Sequence, residues 1–257
     1  MGISHPALAR ARTPSYAAKL LQTGTPDKNR AVDPYNPMLI MNLEQARSNM
    51  VEQQIRTWEV LDQDVLDLLY LVPREEFVPP EHRALAFSDL QLPIGEGETM
   101  WEPKLEARVL QELAVRKSDR VLEVGTGSGY FAALLAHRAA QVHSVEVKPG
   151  LAEFGRANLE RHRIERVTLE IGDAARGWPG HTPYDVIVLT GSTPLLPRAF
   201  LEQLAVGGRL FAVVGEAPAM TARLVTCVAS GAFHTEDLFE TVIAPLANAE
   251  HPPRFHF

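Results

Sequence analysis

The chain has 257 residues, 46% of them hydrophobic and 22% charged, with a formal net charge of −7. That length and apolar share supply an ample core for one large or two small domains, and the acidic balance argues against a large nucleic-acid footprint. One cysteine, Cys227, excludes an internal disulfide framework or a cysteine-built metal site and suits a reducing, cytoplasmic setting, and no apolar run is long enough to span a bilayer.

Residues 1–40 differ from the rest. They scatter Pro, Thr, Ser and Gly among Arg10, Arg12, Lys19, Lys28 and Arg30, with no sustained periodicity. A poorly structured extension upstream of a start near Met41 is expected there, ahead of a basic transit segment. Asn42 with Gln45 has the spacing of a helix cap, and Asp62 precedes a second apolar-faced helix. Val72 to Pro80 reads as a proline-bounded connector, and Asp89 to Met100 as an ordered loop with one short strand. Pro103 suits the first turn of a helix whose Leu105, Val109 and Leu113 share a face. Residues 41–117 thus form helices plus a covering loop, 118–245 a binding domain, and 246–257 a tail.

The binding domain is organised by the stretch from Arg120 to Glu146. Arg120–Val124 is a Val-rich strand, Gly125-Thr126-Gly127-Ser128-Gly129 a glycine turn, Tyr130–Ala136 a helix of Ala and Leu, and Val142–Glu146 a strand ending in an acid. Strand, glycine turn, helix and acid-ended strand make the first half of a nucleotide-binding α/β unit. Further strands follow at Val167–Ile171, Tyr184–Thr190, Arg209–Val214, Leu224–Val228 and Phe233–Ile243, with helices opened by Pro149 and Pro197. The pattern predicts an α/β, doubly wound, mostly parallel seven-stranded sheet closed by an antiparallel C-terminal hairpin.

The acids decide the nucleoside. Dinucleotide sites carry G-x-G-x-x-G and hold a pyrophosphate. Here the glycines run G-x-G-x-G, and Glu123 stands just before them. A carboxylate repels a diphosphate but favours a cofactor bearing an ammonium and a sulfonium. With Glu146 and Asp173, Glu123 therefore points to S-adenosyl-L-methionine.

Taken together, the glycine loop, the acid after the second strand and the terminal hairpin resemble class I S-adenosylmethionine-dependent methyltransferases. Met50-Val51 with Gln53, Val72-Pro-Arg-Glu75, Phe77-Val-Pro79, Asp89, Leu92-Pro-Ile-Gly95, Gly97 and Thr99 narrow the resemblance to the protein-L-isoaspartate O-methyltransferase family, over about Met41 to the end of the sheet. The resemblance implies a Rossmann-like methyltransferase that acts on isoaspartyl residues of damaged proteins and leaves S-adenosyl-L-homocysteine. It gives Gly125, Gly127 and Gly129, with Thr126, the methionine end of the cofactor, and Glu146, with Val147, the ribose. Asp173, with Ala174, faces the adenine amino group, and Thr190 lies at the cofactor's edge. Ile94 to Thr99 covers the cofactor and lines the acceptor cleft.

This chain departs from the family at the acceptor positions. The family reads Gly-Gln-Thr-Ile-Ser where Gly97-Glu98-Thr99-Met100-Trp101 stands here, so an indole replaces the serine hydroxyl associated with the acceptor carboxylate. Glu98, Thr99 and Trp101 are the candidate acceptor-side residues. An ionised Glu98 facing an anionic acceptor would repel it, so it points away, pairs with an Arg, or the acceptor is not anionic. Trp101 covers the cofactor pocket as packing, or offers a platform or plug at the acceptor groove. These departures keep two alternatives open: a divergent relative methylating another acceptor, small or aromatic, and a cofactor-binding protein without turnover. No histidine pattern of metal spacing occurs, and a carboxylate acceptor needs no general base.

Overall fold

The computed structural model describes residues 37–252, so the expectations for residues 1–36 and for His256 lie outside the described residues. By its contacts the chain divides after Met41, and the unit from Asn42 onward carries the sheet. The helix that leads into this unit, α1, runs Pro37–Asn49. It overturns the cap expected at Asn42, which lies inside the helix. Proline suits the first turn, and Met and Leu carry the helix on past that point. Met50–Ile55 continues as a π-helical segment that buries Met50, Val51 and Ile55. Helix α2, Gln63–Leu71, begins as expected: Asp62 Oδ1 accepts from the N–H groups of Asp64 and Val65 at 2.9 and 3.3 Å.

A two-stranded hairpin follows, β1 (Leu92–Gly95) with β2 (Glu98–Met100), where the sequence suggests one short strand. Helix α3 is Pro103–Leu113. Strand β3 (Arg120–Val124), helix α4 (Tyr130–Arg138), strand β4 (Gln141–Glu146), helix α5 (Pro149–Arg161) and strand β5 (Val167–Ile171) come next. Strand β6 (Tyr184–Leu189) leads through the short helix α6 (Arg198–Glu202) to the long strands β7 (Leu204–Glu216), β8 (Ala219–Ala229) and β9 (Ala232–Glu240). The sheet has seven strands in the order β5-β4-β3-β6-β7-β8-β9. The five strands from β5 to β7 pair in parallel, and β8 and β9 add antiparallel at one end. This is the expected architecture. Among the described residues no helix is long and apolar enough to cross a membrane.

Strand alternation sends Val121, Val142, Val186, Val188 and Phe211 to the face covered by the N-terminal helices, α4 and α5. Leu122, Val124, Val145, Ile187 and Leu189 go to the other face, with Phe200 of α6. The connector that carries Val72-Pro-Arg holds a buried cation. Arg74 is 1% exposed; it pairs with Glu106 of α3 and donates to the carbonyls of Ala86 and Trp101. One guanidinium thus fixes α3, the connector and the residue after β2 to one another. Its fork geometry allows this where a lysine's single ammonium would not.

The glycine loop sits against α5 with no clearance. A Cβ on Gly155 would lie 2.9 Å from the carbonyl oxygen of Gly127 and 3.0 Å from Cγ2 of Thr126. Gly→Ala inside a helix ordinarily stabilises by about 1 kcal/mol. At Gly155 the sign should reverse: Gly155→Ala should lose about 1–3 kcal/mol by overpacking, read from urea denaturation. A higher denaturation midpoint would show that loop and helix can part.

Candidate active site

Parallel strands deliver their loops to one edge of the sheet, and ligands of open α/β sheets bind there, outside the carboxyl ends of the strands. In this chain the edge carries an open cleft of about 700 Å³, the solvent at its mouth included. Ile94, Glu98, Thr99 and Trp101 line it from the hairpin, and Gly125 and Gly127 from the loop after β3. Glu146 and Val147 come from the end of β4, Asp173 and Ala174 from beyond β5, and Thr190 from beyond β6. Ten of the sequence-predicted site residues therefore share one cavity, and Ile94 belongs to the covering segment.

The remaining three sit elsewhere. Glu123 and Thr126 line a smaller adjoining cavity together with Glu106, Ser128 and Phe131. Gly129 lines neither cavity; a Cβ there would meet the Gly155 carbonyl at 2.9 Å, so its place is in the packing of loop on helix.

The geometry fits a nucleoside cofactor. Gly125 has φ +98°, and a Cβ on it would fall 2.2 Å from Oγ1 of Thr190, so bare backbone faces the cleft. Thr190 Oγ1 lies 2.9 Å from the Val124 carbonyl and 2.8 Å from that of Gly125, which ties the end of β6 to the loop. Glu146 is buried, and its two oxygens accept from the N–H groups of Gly127 (2.9 Å) and Lys148 (3.0 Å). Each carboxylate oxygen keeps further lone-pair capacity, as a ribose diol requires.

Glu123 is fully buried. Oε2 accepts from the Ser144 hydroxyl, and Oε1 has no hydrogen-bond partner. Burial pushes its pKa up to about 8; the Ser144 hydroxyl opposes this, and the negative Glu146 and Glu106 add to it. Glu123 thus presents a buried acid with an open oxygen to the adjoining cavity beside the loop.

On the acceptor side the structure answers the question posed by Glu98. Its carboxylate pairs with Lys148 Nζ, a lysine rather than an arginine, and the same ammonium donates to the Glu96 carbonyl at 2.7 Å. The hairpin is thus pinned beside the start of α5. Thr99 Oγ1 is 3.4 Å from Gln91 Oε1. Trp101 is 6% exposed, with its ring packed on Phe131 and Phe211 at centroid distances of 5.5 and 6.2 Å. Its Nε1 donor, although buried, has no partner.

Sequence reading missed the far wall. Ala244, Pro245, Leu246 and Ala247 line the cleft, although residues from 246 onward read as a tail. No periodicity marks such a segment, and only its long-range backbone bonds reveal it: Ser192 N–H to the Ala244 carbonyl and Leu246 N–H to that of Ser192, at 2.9 and 2.8 Å. Sequence spacing also hid a grouping of His143, Glu170 and His181, whose donor atoms lie within 4.8 Å of one another. The two imidazoles stack at 3.8 Å and 13°. Ring lone pairs lie in the ring planes, so near-parallel rings do not converge on one ion.

Comparison with known proteins decides the family. The family model described as protein-L-isoaspartate(D-aspartate) O-methyltransferase matches residues 45–251. The chain belongs to this family. Among protein-L-isoaspartate O-methyltransferase relatives, one from Methanoculleus marisnigri is 46% identical over 169 residues, which is 66% of this chain and 77% of the relative. Another from Pelobacter propionicus is 39% identical over 219 residues, 84% of this chain and 97% of the relative. A solved protein-L-isoaspartate O-methyltransferase superposes with a TM-score of 0.68 at 27% identity, over 79% of this chain and 66% of that one. A Plasmodium falciparum structure in complex with S-adenosyl-L-homocysteine shares the fold, with a TM-score of 0.66 at 19% identity, over 79% of this chain and 97% of that one.

Glu123 makes stability depend on pH. Its folded-state pKa lies above the unfolded value, so the stability held by the neutral form is complete below about pH 4.5 and is lost as pH rises toward 8. Wild type should therefore lose about 2–5 kcal/mol relative to Glu123→Gln between pH 4.5 and 8, followed by urea denaturation. Parallel curves for the two proteins would mean that Glu123 is already ionised when buried.

Proposed function

We propose that this family member transfers the methyl group of S-adenosyl-L-methionine to the free carboxylate of isoaspartyl residues in proteins. The observation that carries the reading is the cleft itself: bare glycine backbone and a fixed Glu146 at one part, Thr99 and Trp101 at another. When bound, the cofactor supplies an electrophilic methyl on a sulfonium; a carboxylate oxygen forms the new C–O bond as the C–S bond breaks, giving a methyl ester and S-adenosyl-L-homocysteine.

The chain's own residues then have separable tasks. Glu146 accepts the ribose hydroxyls, and Val147 packs beside it. Gly125 and Gly127 let the cofactor approach the backbone, with Thr126 and Gly129 holding the loop's shape. Glu123 meets the ammonium. Asp173 accepts from the adenine amino group, beside Ala174, and Thr190 bounds the cofactor's edge. The acceptor carboxylate is ionised at neutral pH, so no residue has to remove a proton from it. Catalysis then rests on orientation and on excluding water.

Glu98 does not oppose this, because Lys148 balances its charge at the cleft wall. The unpartnered indole N–H of Trp101 supports a positioning role. A buried donor without a partner costs free energy, and an acceptor carboxylate would satisfy it. We assign Trp101 to that task, in place of the family's serine hydroxyl, with Thr99 as a second donor once its hydroxyl turns from Gln91 to the acceptor. The buried, free thiol of Cys227 fits a reducing, cytoplasmic setting, where damaged protein substrates would be met.

The test is methyl transfer from labelled S-adenosyl-L-methionine to paired peptides that differ only in an isoaspartyl or an aspartyl residue. Transfer to the isoaspartyl peptide alone is expected. Trp101→Phe keeps the packing but removes the donor, and should lower kcat/KM by about 10- to 100-fold, the worth of a hydrogen bond to a charged group. Cofactor binding without transfer to either peptide would sink the substrate assignment, and full activity in Trp101→Phe would remove the indole from it.

A further inference from the structure

The segment after β9 is stitched to the loop beyond β6. Ser192 N–H donates to the Ala244 carbonyl and Leu246 N–H to the Ser192 carbonyl, and the Ser192 hydroxyl reaches the Ile243 carbonyl at 3.3 Å. Leu246 lies so close over Gly191 that a Cβ there would be 2.8 Å from its backbone nitrogen. The segment then turns, with Ala249 N–H on the Leu246 carbonyl at 3.2 Å. Asn248 takes φ +62°, a left-handed conformation in which asparagine is enriched.

From that turn the Asn248 amide reaches the opposite wall. Nδ2 donates to Asp173 Oδ2 at 2.9 Å, while Asp173 Oδ1 accepts from Ala175 N–H at 3.0 Å. Asp173 follows β5, whereas the segment is anchored beside β6, and β4 and β3 stand between. Three strand spacings separate the two anchors, about 14 Å. Hence one side-chain hydrogen bond closes a loop of chain across the strand ends that carry the cleft.

We propose that Asn248 is a positioning residue for the cofactor's base: its amide orients the Asp173 carboxylate and straps the C-terminal segment across the adenine end of the cleft. The proposal rests on the reading of the cleft as the S-adenosylmethionine site. Two donors, Ala175 N–H and Asn248 Nδ2, fix the carboxylate plane. A carboxylate accepts only, so a carboxylate held in place favours a 6-amino purine and opposes a 6-oxo purine. Without the amide, Asp173 keeps one anchor and can turn into solvent, and the base loses both its selector and its cover.

Calorimetry tests this with two ligands, S-adenosyl-L-homocysteine and its 6-oxo counterpart, S-inosyl-L-homocysteine. Wild type should prefer the 6-amino ligand. Asn248→Gly keeps the left-handed backbone and removes the amide. It should raise the Kd for S-adenosyl-L-homocysteine by about 3- to 10-fold and narrow the preference between the two ligands. Asn248→Asp should weaken binding further, because two carboxylates would then face each other. Unchanged affinities in Asn248→Gly overturn the proposal. So does an equal loss for both ligands, which would mean that Asn248 shapes the segment without reading the base. If wild type binds neither ligand, the cleft reading falls and takes this proposal with it.

Discussion

No side chain fits between the loop after β3 and helix α5, and the site depends on that fact. Glycines 127, 129 and 155 meet backbone to backbone, with Gly129 and Gly155 each placing a neighbour's carbonyl oxygen 2.9 Å from where a Cβ would stand. The contact holds the loop low enough for the Gly127 N–H to reach Glu146. Larger residues here would lift the loop off the helix and separate the acid from the surface it works beside.

A second constraint places the other half of the site. Arg74 belongs to no regular strand, yet it joins the connector, α3 and the Trp101 carbonyl through buried bonds. Burying a cation is costly unless it is paired and fully hydrogen-bonded. Here Glu106 and two carbonyls do that. The residue after β2 is thereby held at a fixed height against Phe131 and Phe211, which keeps the indole edge at the cleft. Lys148 performs a looser version of the same task for the hairpin tip, at a pair about one third exposed, where the energy is small but the direction is set.

Much of this was legible in the sequence because it is written in local patterns. Val-rich runs, proline at helix starts and Asp62 as a cap each act over a few residues, and the strands, helices and cap they predict are there. Glu146 and Asp173 line the cleft because the α/β unit fixes where a strand must end. What escaped was set by contacts distant in sequence. The cap expected at Asn42 failed because a local capping pattern does not exclude a helix that starts earlier, at Pro37. The wall at 244–247 has no periodicity and is held by Ser192, about fifty residues upstream. Arg74 looked like part of a connector, since nothing local shows that a guanidinium is buried. The partner of Glu98 was likewise out of reach, because Lys148 is brought to it only by the closing of the hairpin on α5.

We propose that the cleft between Gly125, Glu146 and Leu246 holds the cofactor with its reactive end toward Trp101, and the other residue roles follow from that placement. A crystal structure with S-adenosyl-L-homocysteine tests it most directly. Both ribose hydroxyls should lie on the Glu146 carboxylate, and the thioether sulfur on the side of Thr99 and Trp101. A product molecule lying elsewhere, or lying in the cleft with its base against Trp101, would contradict it.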